Sequence, residues 1–263
     1  MKIMANGITV NYKVTGAGSA LVLVHGAGDN LGMWYHQTSV FSASHRVIAY
    51  DVRGSGETES PEGDYSLSLF ADDAYELMKA LDVPHACFLG YSMGGRIALE
   101  MAIRHPEMVK GLILVSTPVL AVGSPPPGGQ GGRRGLPNMD PGGDIQTFAE
   151  MMTVAGFSPG FRSANPAEFD RYMTVKLQNQ PKGLGRLMRS LGGLATQPDL
   201  GGLKCPVLMV AGDNDSLISI ERSIRAHEAI PGSELVVLPS GHAVPIEAPH
   251  QFNAAVLEFL SRT

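Results

Sequence analysis

The chain has 263 residues, 44% of them hydrophobic and 17% charged, with a formal net charge of −5. This balance is typical of a folded globular enzyme and excludes a disordered or tail-like chain. No run of like charges indicates a nucleic-acid partner, and the sequence shows neither a secretory signal nor an apolar stretch of about 20 residues, so we expect a cytoplasmic protein without membrane insertion.

Apolar runs separated by helical patterns recur through the first half of the chain. An alternating stretch from Ile8 to Tyr12 predicts a half-exposed strand, and continuous apolar runs predict strands buried on both faces. The continuous runs are Leu21 to Val24, Arg46 to Tyr50, Ala86 to Leu89 and Gly111 to Val115. Helical patterns lie between them, from Ser68 to Leu81 and from Met93 to Arg104.

The same alternation resumes near the end of the chain. Apolar runs at Val207 to Val210 and Leu235 to Leu238 enclose a helical pattern from Ser219 to Ile230, and a last helix is predicted from Pro249 to Leu260. Repeated alternation of strand and helix predicts a mostly parallel sheet covered on both faces. Both cysteines, Cys87 and Cys205, lie in apolar runs, which favours buried reduced thiols over a disulfide or a zinc site. We expect no metal and no cofactor.

The segment from residue 122 to residue 200 interrupts this alternation. It begins with a Pro- and Gly-rich stretch, residues 125–135, that predicts a flexible loop. Helical patterns follow at Ile145 to Val154, Pro166 to Gln178 and Leu184 to Leu191. We interpret the segment as a mainly helical insertion over the carboxyl edge of the sheet, where α/β sheets place their sites. A surface subdomain without a role at the site is the alternative.

A Gly-x-Ser-x-Gly pattern, residues 90–94, lies between the strand ending at Leu89 and the helix beginning near Met93. Such a turn is sharp, and its glycines let backbone segments approach each other closely. Ser92 is then exposed at the tip of the turn, beside the partial positive charge of the helix N-terminus. We predict that Ser92 is a nucleophile and not part of an ordinary glycine-rich turn.

A serine hydroxyl needs a base to take its proton and an acid to orient that base. His242 follows the strand ending at Leu238, and Asp215 follows the strand ending at Val210 in Gly-Asp-Asn-Asp. None of the other seven histidines combines a strand end with this chain order. Asp213 is the alternative acid, and we favour Asp215 because the later position in the turn reaches further over the sheet edge.

Acyl transfer also needs donors for the oxyanion, usually backbone N–H groups. The His25-Gly-Ala-Gly loop directly follows the strand Leu21 to Val24, and Met93 directly follows the predicted nucleophile. We predict that the N–H groups of Ala27 and Met93 form the oxyanion hole. His25 is an alternative base, but its place before a tight glycine turn favours a structural hydrogen bond.

Five motifs together resemble the α/β-hydrolase superfamily along nearly the whole chain. They are the His25-Gly-Ala-Gly loop, the Asp51-Val-Arg53-Gly-Ser-Gly turn, the turn around Ser92, Gly-Asp-Asn-Asp215 and Gly-His242. The resemblance implies a mostly parallel eight-stranded α/β sheet with helices on both faces. It implies a core formed by residues 1–121 and 201–263, a helical lid at 122–200, and structural roles for Asp51 and Arg53.

Serine at the nucleophile position argues against the dehalogenase and epoxide-hydrolase branches of this superfamily. The chain is similar to small esterases and enol-lactonases, with cofactor-free perhydrolases and C–C hydrolases of ring-cleavage pathways as alternatives. C–C hydrolases usually carry an asparagine before the nucleophile, where this chain has Tyr91. The predicted reaction is cleavage of a small-molecule ester or lactone through an acyl-enzyme. A ligand receptor of the same fold with little turnover is the non-enzymatic alternative.

A substrate pocket is the least constrained prediction. Apolar side chains expected to line it are Trp34, Tyr91, Met151, Phe157 and Phe161, together with Met152 and Met173. Ordinary core packing is the alternative for all of them. Arg133 and Arg134 are candidate anchors for a substrate carboxylate, although a solvated loop is the favoured interpretation. The natural substrate and the presence of a homo-oligomer stay open.

Overall fold

A computed structural model describes residues 1–120, 144–191 and 198–263 of the chain. Its strands are β1 (Lys2–Ala5), β2 (Ile8–Thr15), β3 (Ala20–Val24), β4 (Arg46–Tyr50), β5 (Ala86–Tyr91), β6 (Val109–Val115), β7 (Val207–Gly212) and β8 (Glu234–Leu238). They form one eight-stranded sheet in the order β1-β2-β4-β3-β5-β6-β7-β8. From β4 to β8 every neighbouring pair is parallel, as the alternation of strands and helices predicts.

The helices of the described residues connect these strands. They are α1 (Thr38–Phe41), α2 (Leu67–Ala80), α3 (Met93–Arg104), α4 (Ile145–Gly156), α5 (Phe161–Ala164), α6 (Pro166–Leu177), α7 (Pro181–Ser190), α8 (Ile220–Glu228), α9 (Val244–Glu247) and α10 (Pro249–Leu260). Short 3₁₀ helices lie at Leu31–Trp34 and Leu200–Gly202. None of the helices in the described ranges is long and apolar enough to cross a bilayer.

The amino-terminal hairpin is an element that the apolar pattern did not predict. β1 pairs antiparallel with β2, and β2 pairs antiparallel with β4, so the sheet is mixed at this edge. The hairpin turn contains Asn6 and Gly7, both with positive φ (46° and 73°). Asn-Gly is the preferred pair for a two-residue hairpin turn and is the signal that identifies β1.

Each buried strand divides its side chains between two hydrophobic clusters, one on each face of the sheet. In β3, for example, Val22 and Val24 pack on the face covered by α2 and α3, whereas Leu21 and Leu23 pack on the face covered by α1 and α10. This follows from the period of two residues along a strand. The continuous apolar runs are therefore explained by burial on both faces.

Helices α4 to α7 all lie between β6 and β7 in the chain, where the insertion was predicted. Three of them match the predicted helical patterns. Helix α7 begins at Pro181, three residues before the predicted start, because proline is accepted in the first turn of a helix. The Pro- and Gly-rich stretch, residues 125–135, and with it Arg133 and Arg134, lies outside the described residues.

Candidate active site

The turn between β5 and α3 holds Ser92 in a strained conformation. Its φ is 52° and its ψ is −114°, an arrangement that L-residues rarely adopt. The Ser92 N–H donates to the carbonyl oxygen of Val115 at 2.8 Å, which ties the turn to β6. Such strain persists only where the surroundings over-determine it, and it is concentrated at functional sites.

Close backbone contacts explain why glycine occupies position 94. A Cβ placed there would lie 2.1 Å from the carbonyl oxygen of Val24 and 2.5 Å from that of His25. Both atoms belong to the backbone of β3 and the following loop, so neither can rotate away. The glycine lets α3 pack directly against the loop that carries Ala27.

We expect Gly94→Ala to lower the free energy of unfolding by about 3 kcal/mol, because an overpacked site must displace backbone. The matched control is Gly156→Ala in α4, where a new Cβ meets nothing within 4 Å. That variant is expected to be neutral or to gain up to about 1 kcal/mol from helix propensity. Denaturant unfolding of both variants measures the difference, and equal effects would contradict the close-packing argument.

Three side chains from different strand ends meet at the carboxyl edge of the sheet. His242 Nε2 lies 2.9 Å from Ser92 Oγ, and His242 Nδ1 lies 2.7 Å from Asp215 Oδ2. The other oxygen of Asp215 accepts the N–H groups of Leu217 and Ile218, each at 2.8 Å. The carboxylate is thereby fixed on one side and directed at the imidazole on the other.

Asp213, the alternative acid, has a different position. One of its carboxylate oxygens accepts the Ser240 N–H at 3.1 Å and the Asn214 side-chain amide at 2.7 Å. Its side chain is exposed, whereas Asp215 is only 7% exposed. Asp213 therefore fastens the turn after β7 to the loop after β8, and Asp215 is the carboxylate that reaches His242.

A second carboxylate supports the loop that carries His242. Glu247 accepts the Gly241 N–H at 2.8 Å and hydrogen bonds from the backbone and hydroxyl of Ser158, which follows α4. Burial raises the pKa of Glu247 above its usual value, against the lowering effect of these hydrogen bonds. The histidine loop and the start of the inserted helices are thus linked through one side chain.

The predicted oxyanion donors both border a cavity of about 330 Å³ above Ser92. Met93 is the first residue of α3, so its N–H belongs to the first turn and has no acceptor within the helix. Ala27 lies in the loop after β3 and lines the same cavity. Ala27, Met93 and Ser92 therefore line one cavity.

His25 is committed to structural hydrogen bonds. Its Nε2 accepts the Val52 N–H at 2.9 Å, which leaves the proton on Nδ1 to donate to the Gly26 carbonyl oxygen at 2.8 Å. The side chain is fully buried. Burial lowers the pKa of His25 below its ordinary value, in spite of the nearby Asp51 and Asp29 carboxylates. The neutral imidazole connects two loops and is not available as a base.

The lowered pKa of His25 predicts a pH dependence of stability. The unfolded chain binds a proton at His25 more readily than the folded chain does. The stabilising contribution of His25 is therefore complete above about pH 6.5 and is lost as the pH falls below that value. We expect the stability difference between wild type and His25→Gln to shrink on acidification from about pH 7 to 5, by at most about 1.4 kcal/mol per pH unit. Chemical unfolding at several pH values measures it, and a constant difference would refute the assignment.

Asp51 and Arg53 are structural residues, as expected. The Asp51 carboxylate accepts the backbone N–H groups of Leu31 and Glu57 at 2.8 and 2.9 Å. Arg53 makes a bidentate ion pair with Asp73 at 2.8 and 2.5 Å, in a site where the two side chains are 7% and 4% exposed. These contacts hold the turn after β4.

The cavity lining corrects most of the predicted pocket. Tyr91 does line the cavity, and its ring centroid lies 5.2 Å from that of His242. Five predicted side chains are not among the described residues that line it, namely Trp34, Met151, Phe157, Phe161 and Met173. Trp34 is fully buried in the core, and Phe157 and Phe161 stack on each other with centroids 4.4 Å apart.

Helix geometry explains which of the predicted methionines line the cavity. Met151 and Met152 both pack against one core cluster, but only Met152 lines the cavity, since Met151 lies one position earlier in α4 and about 100° around the helix. Met173 likewise packs in the core. Sequence composition identified the apolar residues of the insertion but not the direction in which each one points.

Sequence reasoning missed several polar residues of the cavity wall. Asp29, Tyr172 and Lys176 line it together, and Arg96 and Arg222 line it as well. Asp29 directly follows the His25-Gly-Ala-Gly loop, and this position in the sequence could have identified it as a residue of the site. Tyr172 and Lys176 lie one helical turn apart in α6, and no local pattern distinguishes such a pair from an ordinary helix face.

The chain is similar in sequence and structure to known hydrolases. A family model described as alpha/beta hydrolase fold matches residues 19–249. The 3-oxoadipate enol-lactonase 2 of Acinetobacter baylyi is 28% identical over 99% of this chain and 96% of its own length. A 2-hydroxymuconate semialdehyde hydrolase of Pseudomonas sp. is 31% identical over 99% of this chain and 93% of its own.

Further matches widen the range of reactions among these relatives. A putative carbamate hydrolase of Agrobacterium fabrum is 31% identical over 91% of this chain and 92% of its own length. The crystal structure of an enol-lactonase from Burkholderia xenovorans superposes with a TM-score of 0.90, at 25% identity, over 99% of this chain and all of that one. The named relatives share hydrolysis but differ in the bond that is cleaved.

Proposed function

Because this chain belongs to the α/β-hydrolase family, we propose that it is a serine hydrolase that cleaves a carboxylic ester or lactone through an acyl-enzyme. The observation that carries the proposal is the hydrogen-bonded series from Ser92 through His242 to Asp215, at 2.9 and 2.7 Å. This arrangement is what activates a serine hydroxyl, since the base must reach both the nucleophile and an orienting acid.

The proposed steps use this chain's own groups and water. His242 Nε2 takes the proton as Ser92 Oγ attacks the carbonyl carbon, and the N–H groups of Ala27 and Met93 stabilise the oxyanion. The imidazolium, held by Asp215, returns the proton to the leaving alkoxide. Water, deprotonated by the same histidine, then releases the acid and restores the free serine.

The cavity walls support a small apolar acyl or ring group. Met152, Leu191, Leu217 and Ile218 face the space above Ser92. A volume of about 330 Å³ is at the lower end of ligand pockets. Tyr91 precedes the nucleophile where C–C hydrolases usually have asparagine, which favours an ester or lactone over a carbon–carbon bond.

We also propose that residues 122–200 act as a lid on a core formed by residues 1–121 and 201–263. Support comes from the cavity lining, because Met152, Tyr172 and Lys176 of the inserted helices and Ser92 of the sheet edge border the same space. The substrate therefore touches both parts.

Labelling with a fluorophosphonate probe tests the proposal directly, since such probes react only with activated serines. We expect one covalent adduct, which mass spectrometry locates on the peptide containing Ser92. Turnover is then measured with p-nitrophenyl esters, small lactones, a carbamate and a vinylogous 1,5-diketone. Fastest turnover of the esters or lactones supports the proposal. Faster turnover of the diketone or the carbamate would show that the substrate is not an ester or lactone. Absence of both labelling and turnover would favour a receptor.

A further inference from the structure

One face of α6 contacts the loop that carries Ala27. Lys176 Nζ donates to Asp29 Oδ1 at 2.5 Å, and the two side chains are only 3% and 1% exposed. A buried ion pair therefore joins the inserted helices to the loop that carries Ala27.

Two amide side chains extend this contact. Asn30 Nδ2 donates to the Val175 carbonyl oxygen at 2.6 Å, and Asn179 Nδ2 donates to the Gly28 carbonyl oxygen at 3.0 Å. Positions 172, 175 and 176 share one face of α6, and Asn179 follows shortly after the helix ends at Leu177. Three consecutive loop residues, 28–30, are thus each bonded to α6 or to the turn that follows it.

The loop is a tight turn in which Asp29 is the closing residue. Its N–H donates to the Gly26 carbonyl oxygen at 3.2 Å, and Gly28 has a φ of 78°. Ala27 lies between these two fixed points. Since a four-residue turn has few internal degrees of freedom, the position of Asp29 determines where the Ala27 N–H points.

We propose that α6 sets the oxyanion hole through the buried Asp29–Lys176 pair, which makes both side chains positioning residues for the Ala27 N–H. The inference rests on the proposed serine-hydrolase function. A buried ion pair is weak evidence for stability, because desolvation of both charges offsets their attraction. The ion pair acts here through its geometry. The two charged groups attract each other strongly only over a narrow range of separations, so the pair fixes the position of the loop relative to α6.

The test compares Lys176→Met, Asp29→Asn and the double variant. All three are expected to lower kcat about 10- to 100-fold with KM changed by less than about threefold, since oxyanion bonding is made in the transition state. A trifluoromethyl ketone forms a tetrahedral serine adduct that needs the same donors. Its affinity is expected to fall in parallel with kcat, while that of the matching alcohol stays constant.

The matched control is the buried Arg53–Asp73 pair, which lies in a structural turn. The double variant Arg53→Met with Asp73→Asn is expected to lower Tm while kcat stays within about threefold of wild type. The inference is overturned by recovery of kcat in the Asp29→Asn/Lys176→Met double variant, since only an unpaired charge would then matter. It is equally overturned by a rise in KM alone, which would show that Lys176 binds substrate.

Hydrogen exchange separates this inference from the proposed function. In Lys176→Met, amides of the peptide covering residues 25–32 are expected to exchange at least about tenfold faster, whereas those of α3 keep the wild-type rate. Unchanged exchange in residues 25–32 overturns the positioning role even if the wild type is an active esterase. If the wild type neither labels nor turns over, faster exchange in Lys176→Met still supports the helix–loop coupling, and only the proposed hydrolase function is refuted.

Discussion

Ser92→Ala is expected to lower kcat for a p-nitrophenyl ester by about 10⁶-fold, the loss that removal of a serine nucleophile produces when its supporting groups remain. The remaining rate comes from the oxyanion donors and from substrate binding. Fluorophosphonate labelling is expected to disappear with the hydroxyl. Initial rates at saturating substrate, on protein purified away from contaminating esterases, measure the effect.

Ser116 provides a matched control within the same sheet. It follows β6 directly, is 1% exposed and has a positive φ of 45°, so it shares the backbone strain of the candidate nucleophile, although Ser92 is only half-buried. In the described part of the chain its Oγ has no hydrogen-bond partner. Ser116→Ala is therefore expected to keep wild-type kcat. Equal losses in the two variants, or none in either, would rule out Ser92 as the nucleophile.

Asp215→Asn is expected to lower kcat by about 10⁴-fold with little change in KM. The amide can present an N–H to His242 Nδ1, which stabilises the tautomer whose Nε2 carries a proton and cannot act as a base. The loss of negative charge also removes the stabilisation of the imidazolium. Steady-state kinetics of esters with good and poor leaving groups measure both effects.

Asp213→Asn is the matched variant, two positions away in the same turn. An asparagine side-chain oxygen can still accept the Ser240 N–H that Asp213 accepts at 3.1 Å. We expect a change in kcat of less than about threefold, as for other exposed substitutions. A larger loss in Asp213→Asn than in Asp215→Asn would reverse the acid assignment.

Much of the fold was accessible from local patterns. The strands β3, β4 and β5 are short, almost entirely apolar runs, and each contains β-branched or aromatic residues. Length and composition therefore both predict strands that are buried on both faces. Helix α10 begins at a proline and has the predicted bounds, Pro249–Leu260. Strand β1 was missed because four residues with a mixed burial pattern carry almost no periodic signal.

The candidate site likewise contains residues that local patterns predicted and residues that they did not. Ser92, Asp215 and His242 could be nominated because each directly follows a predicted strand, and parallel strands end at one edge. Asp215 and Asp213 lie two positions apart in the same turn, so the choice between them depended on the direction in which each side chain points. The interaction of Lys176 with Asp29 joins positions 147 residues apart and has no counterpart in any local pattern.

The sequence by itself determined the α/β alternation, the strained serine turn and the chain order of the candidate triad, because these depend on residue type and on neighbours within a few positions. Only the tertiary structure decided which side chains face the cavity, since that depends on the rotation of each inserted helix against the sheet. It excluded Trp34, Met151, Phe157 and Phe161 from the lining and placed Tyr172 and Lys176 there. The rotation of a helix is set by its packing against distant segments, so the sequence of one helix does not reveal which of its faces meets the cavity.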